Sequence, residues 1–188
     1  MESKHLVWTI QPFAVWDALQ VQEVVYVDPA RLPARYVPEA YRWLQIRISK
    51  KELPWWVYYS KPDLRLFRHR FNSDERQARI ELLVPSHLII RFPSDAWSRV
   101  YSGLTLNLNK AMNDPDEIAP ESEEWISQKT RQSWDNLFSP ELTGYGPDFI
   151  GVTSVIELSW VHGVTSFWGC RRAGLRKHSA MTVEEEFG

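Results

Sequence analysis

The segment Pro54-Trp55-Trp56-Val57-Tyr58-Tyr59 constrains the fold more than any other stretch of the chain. Its aromatic and β-branched residues favour an extended strand. Successive side chains of a strand point to opposite faces, so Trp55, Val57 and Tyr59 share one face and Trp56 and Tyr58 share the other. One such aromatic face fills a core. The second needs cover from a helix, a partner or a ligand.

The flanking sequence supplies strands and helices in mixed order. Leu6 to Ile10 is a short apolar run that reads as a buried strand, ended by Gln11-Pro12. Proline suits a first helical turn, and Phe13, Trp16 and Leu19 follow Pro12 at helical spacing. Val24 to Val27 reads as a further strand. The stretch from Asp28 to Pro38 carries three prolines and reads as an irregular connection. Pro38 then opens a helix with Tyr41, Leu44 and Ile48 on one face.

Ala78 to Val84 forms a strong strand, with Ile80, Leu82 and Val84 on one side. Leu88 to Phe92 follows after Pro85-Ser86-His87, either as the second arm of a hairpin or as the same strand bent. Ser94 fits an N-cap for a helix carrying Trp97, Val100, Tyr101 and Leu104. Asn113 to Glu124 is an acidic, solvated loop. A helix starting at Pro120 or Ser122 buries Ile126, Thr130, Trp134 and Leu137 and stops at Ser139-Pro140. Val152 to Trp160 and Val164 to Trp168 read as two strands with His162-Gly163 as a tight turn between them.

Strict βαβ alternation is missing, so the expected class is α+β. The expectation is a single compact domain over 1–170, with a mixed or antiparallel sheet and flanking helices, and a charged C-terminal tail over 171–188. Ten Trp and eight Phe supply enough apolar area to exclude a disordered chain. A net charge of -2 argues against a surface that tracks nucleic acid everywhere. The single cysteine, Cys170, forms no intramolecular disulfide. No run approaches the roughly 20 apolar residues that span a bilayer, and the N-terminus lacks a signal-peptide pattern, so a cytoplasmic location is expected.

Nucleotide fingerprints of the Walker and Rossmann kinds are absent, and Thr143-Gly144-Tyr145-Gly146-Pro147 reads as a plain loop. His5, His69, His87, His162 and His178 show no metal-ligand spacing. Cys170 is either inert or paired with His162 across the expected hairpin, where Arg171 and Arg172 would favour a thiolate. Lys61, Arg65, Arg68, His69, Arg70, Arg76 and Arg79 lie close together with Phe67 and Phe71 interleaved. Guanidinium groups take phosphate or carboxylate through two parallel bonds, and rings stack on bases, so this stretch fits an anionic ligand. The alternative is a solvated loop whose arginines pair with Asp63, Asp74 and Glu75. Glu157 lies within Val155-Ile156-Glu157-Leu158. It is either on a solvent face, or buried and usable as an acid, a base or a ribose clamp.

Several motifs resemble those of a bacterial family known as a domain of unknown function, number 3841 in that series. Val7-Trp8-Thr9-Ile10-Gln11 is similar to its Leu-Trp-Thr-Ile-Gln opening, and Tyr41-Arg42-Trp43 to its Tyr-x-Trp helix. Pro54 to Tyr59 followed by Lys61-Pro62-Asp63-Leu64-Arg65, and Ser133-Trp134-Asp135-Asn136-Leu137-Phe138, are similar to later elements. Where the family tends to carry Gln at the start of the late strand, this chain has Gly151 or Val152. The resemblance spans Val7 to about Trp168. It implies one compact domain of bacterial or phage origin and no particular activity.

Three function classes fit these observations. The first is a nucleotide-handling enzyme loosely similar in architecture to ADP-ribosyltransferases, with NAD as cofactor. In it Arg65 or Arg68 holds a pyrophosphate, Trp56 or Tyr58 stacks a nicotinamide, and Glu157 contacts the ribose. The second is a non-enzymatic interaction module, homo-oligomeric in its simplest form, that uses the aromatic strand face. The third is nucleic-acid binding through Lys61 to Arg79 and the tail from Arg171 to Lys177.

Overall fold

The structure, a computed structural model, describes residues 3–29, 39–48 and 51–170. The connection at 30–38 and the charged tail at 171–188 lie outside the described residues.

Six antiparallel strands form one sheet in the order β5-β6-β3-β1-β4-β8. These are β1 (Lys4–Pro12), β3 (Trp55–Tyr58), β4 (Arg76–Pro85), β5 (Ile90–Pro93), β6 (Phe149–Thr153) and β8 (Val161–Trp168). A separate ribbon pairs β2 (Val24–Val25) with β7 (Ile156–Glu157). The helices are α1 (Phe13–Gln22), α2 (Glu39–Ile48), α3 (Leu64–Phe67), α4 (Ser94–Tyr101) and α5 (Gln128–Ser133). The expected α+β class with an antiparallel sheet is what the chain adopts. Among the described residues, no helix is long and apolar enough to cross a membrane.

The sheet is closely joined within its two halves and lightly joined between them. β1 runs beside β4 in continuous register from Lys4↔Pro85 to Pro12↔Gln77. β3 pairs with β6 from Trp55↔Thr153 to Tyr58↔Ile150. Between β1 and β3 the register is the single pair Trp8↔Tyr58.

Each half has its own core, on opposite faces. Over β1, β4 and β8, the face that carries Val7, Ala78, Ile80, Leu82 and Val84 is covered by Val15 and Leu19 of α1 and by Val25, Ile156 and Trp160. Helix α1 stops because Glu23 adopts a left-handed backbone (φ 62), and its N–H closes onto the Leu19 carbonyl. Over β5, β6 and β3, the other face is covered. Phe92, Val152 and Trp56 pack there against Ala40 and Leu44 of α2, Ala96, Trp97 and Val100 of α4, and Trp134 and Leu137. Trp134 is fully buried, and its Nε1 donates to the Leu104 carbonyl at 2.9 Å. Ser133 Oγ accepts the Leu106 N–H at 2.9 Å, and Asn136 Nδ2 donates to the Leu106 carbonyl at 2.7 Å. Burying an aromatic or large aliphatic side chain contributes about 1.5–3 kcal/mol, and these bonds remove the polar cost of doing so.

Both faces of Pro54 to Tyr59 are therefore packed. Trp55 and Val57 enter the first core, and Trp56 enters the second. Of the expected stripe, Ile126, Trp134 and Leu137 are buried and Thr130 is half-buried; the helix begins at Gln128 behind the N-cap Ser127 rather than at Pro120 or Ser122, and a 3-10 turn over Trp134–Phe138 completes it.

Three local expectations are corrected. His162-Gly163 is not a turn: both residues lie inside β8, and a 3-10 turn at Leu158–Trp160 leads into that strand. β4 and the strand after it neither pair nor form one bent strand. Pro85 and the 3-10 turn Ser86–Leu88 redirect the chain, and β5 joins β6 at the far edge. Ser94 does not cap α4. Pro93 is the N-cap, and Ser94 Oγ donates to the Asp148 carbonyl at 3.2 Å.

Candidate functional site

A single row of paired residues crosses all six strands: Phe92, Ile150, Tyr58, Trp8, Glu81 and Gly163. At its Phe92 end the row lies beneath α2, α4 and Trp134. Past Tyr58 nothing comparable covers it among the described residues, and the row turns polar. This open half-face of β1, β4 and β8 is the candidate site.

Glu81 is its centre. Trp8 Nε1 donates to Glu81 Oε2 at 2.8 Å. Lys61 Nζ lies 3.9 Å from the same oxygen, and His162 Nε2 lies 3.9 Å from Oε1. The Glu81 side chain is 23% exposed, whereas His162 is 61% exposed. The carboxylate is thus fixed by the indole yet reachable from solvent. The space beside it at Gly163 is open, since a Cβ built there would meet only Glu81 Cβ, at 3.9 Å. A register shift of β8 beside Glu81 and Leu82 brings His162 to this side.

Aromatic and basic groups border the carboxylate. Tyr58 meets Phe67 edge to face, with centroids 5.6 Å apart, and the Arg70 guanidinium sits 4.7 Å above the Phe67 ring. Burial pushes the Tyr58 phenol pKa up, and the nearby Arg70 charge partly opposes this. Arg79 Nη1 donates to the Pro62 carbonyl at 2.9 Å, and Nη2 to Thr165 Oγ1 at 3.4 Å, which ties the Lys61 segment to the sheet.

The structure brings some of the sequence-predicted residues together and separates others. Tyr58 lies at the border of the open half-face. Trp56 is inside the second core, with its Nε1 donating to Tyr41 Oη at 2.7 Å and its ring 5.0 Å from Trp97. Arg65 is 90% exposed and pairs with Asp63, which also caps α3 by accepting the Arg65 N–H at 2.9 Å. That pair holds the Asp63 carboxyl below its ordinary range. The Arg68 carbonyl accepts the Cys170 N–H at 2.9 Å. Glu157 sits in the β2–β7 ribbon on the α1 side of the sheet, where its Oε2 accepts from Ser159 Oγ at 3.2 Å. It lines a shallow groove of about 440 Å3 with Glu23, Val24, Leu158 and Ser159. The ribbon holds Glu157 on the face opposite Tyr58, so the two do not share a site. Cys170 does not meet His162; its Sγ is 3.0 Å from His69 Nδ1.

Trp8, Glu81 and His162 were not singled out as a site by sequence. Glu81 alternates with Ile80 and Leu82 like any outward residue of a half-buried strand, and its partners come from three other segments. Its one sequence signal is an acid lying within an otherwise apolar run. Compared with models of known families, with curated proteins and with solved structures, the chain matches none.

Proposed function

We propose that the protein handles a nucleotide on the open half-face of β1, β4 and β8. The observation that carries this reading is Glu81, held by Trp8 at 2.8 Å with Lys61 and His162 each at 3.9 Å, beside the Tyr58 and Phe67 rings. A fixed, accessible carboxylate accepts the two hydroxyls of a ribose. Rings at its border stack on a base, and Lys61 and Arg70 complement phosphates. This is the chemistry expected from sequence of Glu157, of Arg65 or Arg68 and of Trp56 or Tyr58; in the present proposal Tyr58 keeps its part, and Glu81 and Arg70 take the other two.

The elements along the chain add support. With the ribbon set aside, the six strands lie in the order fourth, fifth, second, first, third, sixth, and the sheet is weakest between first and second. The first strand leading into a helix, the aromatic strand β3 and the Arg-rich segment after it are what is loosely similar to the ADP-ribosyltransferase architecture. A likeness of elements speaks for an architecture and not for a reaction. The proposal is therefore binding of a ribonucleotide, with NAD as the first to try. We also propose, on the motifs quoted above, membership of the bacterial domain-of-unknown-function family.

Titration calorimetry with NAD, ADP, ribose 5-phosphate and a short oligonucleotide tests the reading. NAD or ADP should bind, and Glu81→Gln should weaken binding about tenfold, which is about 1.4 kcal/mol. Binding of the oligonucleotide alone, with affinity falling steeply as salt rises, would move the assignment to nucleic acid. Absence of heat with every ligand would remove it.

A further inference from the structure

The half-face opposite the aromatic core, over β3, β6 and β5, carries a second arrangement. Arg91 lies between two rings, its guanidinium carbon 3.7 Å from the centroid of Phe149 and 4.9 Å from that of Tyr59. His5 meets the other side of Tyr59 edge on, at 5.5 Å. The line His5, Tyr59, Arg91 and Phe149 thus runs across four strands. Gly151 makes it fit: a Cβ there would come within 3.0 Å of Tyr59 Cε2 and of Ile89 Cγ2.

Contact with the two rings restrains the guanidinium but uses none of its N–H groups in a hydrogen bond among the described residues. Arg47, Arg65, Arg99 and Arg131 each pair with a carboxylate, at Asp135, Asp63, Glu117 and Glu39 respectively. Arg91 has no carboxylate within ion-pair distance among the described residues, and its side chain remains exposed. Beside it, the Tyr59 hydroxyl is buried and has no hydrogen-bond partner among the described residues. A buried unpaired hydroxyl is uncommon in folded proteins and calls for a cause.

We propose that Arg91 anchors an oxyanion-binding site on this face, independent of the nucleotide site, which takes a phosphate or carboxylate group through the guanidinium fork. Two rings hold the guanidinium in place, so little side-chain freedom remains to be lost when two parallel N–H···O bonds form. Phosphate and carboxylate share this geometry, and the test separates them.

The experiment follows the arginine Nε–H resonances of the full chain by NMR during titration with inorganic phosphate and, separately, with succinate. The Arg91 signal is identified as the one missing from R91K. A saturable shift of that signal is expected, with the better of the two anions naming the class. Binding should weaken about tenfold in R91K, since an ammonium cannot form the fork, and should be unchanged in Glu81→Gln. G151A keeps the guanidinium but displaces Tyr59 and should weaken binding as well. If neither anion shifts the Arg91 signal, or if R91K binds as well as the parent chain, the proposal is overturned.

Discussion

The same face of one sheet is closed over β5, β6 and β3 and open over β1, β4 and β8, and one row of residues passes from the first region into the second. Phe92 at one end is 1% exposed, whereas Glu81 near the other holds a charge in reach of solvent. Backbone pairing continues across the row, so pairing does not decide what is covered. Side chains do. Phe92, Ile150 and Trp56 draw α2, α4 and Trp134 onto their half, because every apolar group buried there lowers the free energy. A carboxylate, a lysine and a glycine offer no such gain, and their half stays bare. The closed half contributes stability, and the open half is free for binding.

The largest expected effect tests the closed half. Trp134→Ala removes a fully buried indole and should cost about 3–5 kcal/mol in urea unfolding. A cost below about 1 kcal/mol would mean that this half is not a tightly packed core.

A smaller effect comes from Tyr41, whose hydroxyl accepts from Trp56 Nε1 and donates to the Pro54 carbonyl at 3.2 Å. Tyr41→Phe should cost about 1 kcal/mol at neutral pH. Burial raises the Tyr41 pKa from its ordinary 10.0. Between those two values the unfolded phenol has lost its proton and the folded one has not. Stability therefore falls as pH rises above 10, and Tyr41→Phe should make that fall shallower in melts taken across alkaline pH.

On the open half the pattern should invert. Gly163→Leu places a side chain beside Glu81 on an uncovered face, so it should change stability by less than about 0.5 kcal/mol while reducing nucleotide binding. Equal loss of both properties would show that the open half is structural after all.

A weak effect is also expected at the rim of the closed half. Asp95 accepts from Lys110 Nζ at 2.9 Å, which lowers its pKa, as does the Gly146 N–H to a lesser degree. Its contribution is present above the ordinary aspartate pKa of 3.8 and is lost as pH falls through the lowered one. Asp95→Asn should cost less than about 1 kcal/mol at neutral pH and should weaken the acid dependence, measured in urea series at several pH values.

Local periodicity made the closed half legible. Alternation in Trp55 to Tyr58, helical spacing at Leu44 and the apolar members Ile126, Trp134 and Leu137 of the expected stripe report burial, while its Thr130 stays half-buried. Chain reversals were less legible. His162-Gly163 carries turn residues yet lies in a strand, because pairing with Glu81 and Leu82 from distant sequence outweighs local preference. The candidate site was least legible. A glutamate in a strand has the same sequence appearance whether it faces bulk water or an indole, a lysine and an imidazole. Only the meeting of β1, β4, β8 and the Lys61 segment distinguishes the two.

The single backbone pair between Trp8 and Tyr58 suggests two subunits of structure, but the path of the chain says otherwise. Taken in order, β1 lies in one half, β3 in the other, β4 back in the first, β5 and β6 in the second, and β8 in the first. The polypeptide therefore crosses the seam between β1 and β3, β3 and β4, β4 and β5, and β6 and β8. Neither half is a continuous stretch of sequence, so no cut or truncation can release one intact. With the chain threading both halves, the two cores should unfold in a single cooperative transition, which a calorimetric melt checks by the agreement of its calorimetric and van't Hoff enthalpies.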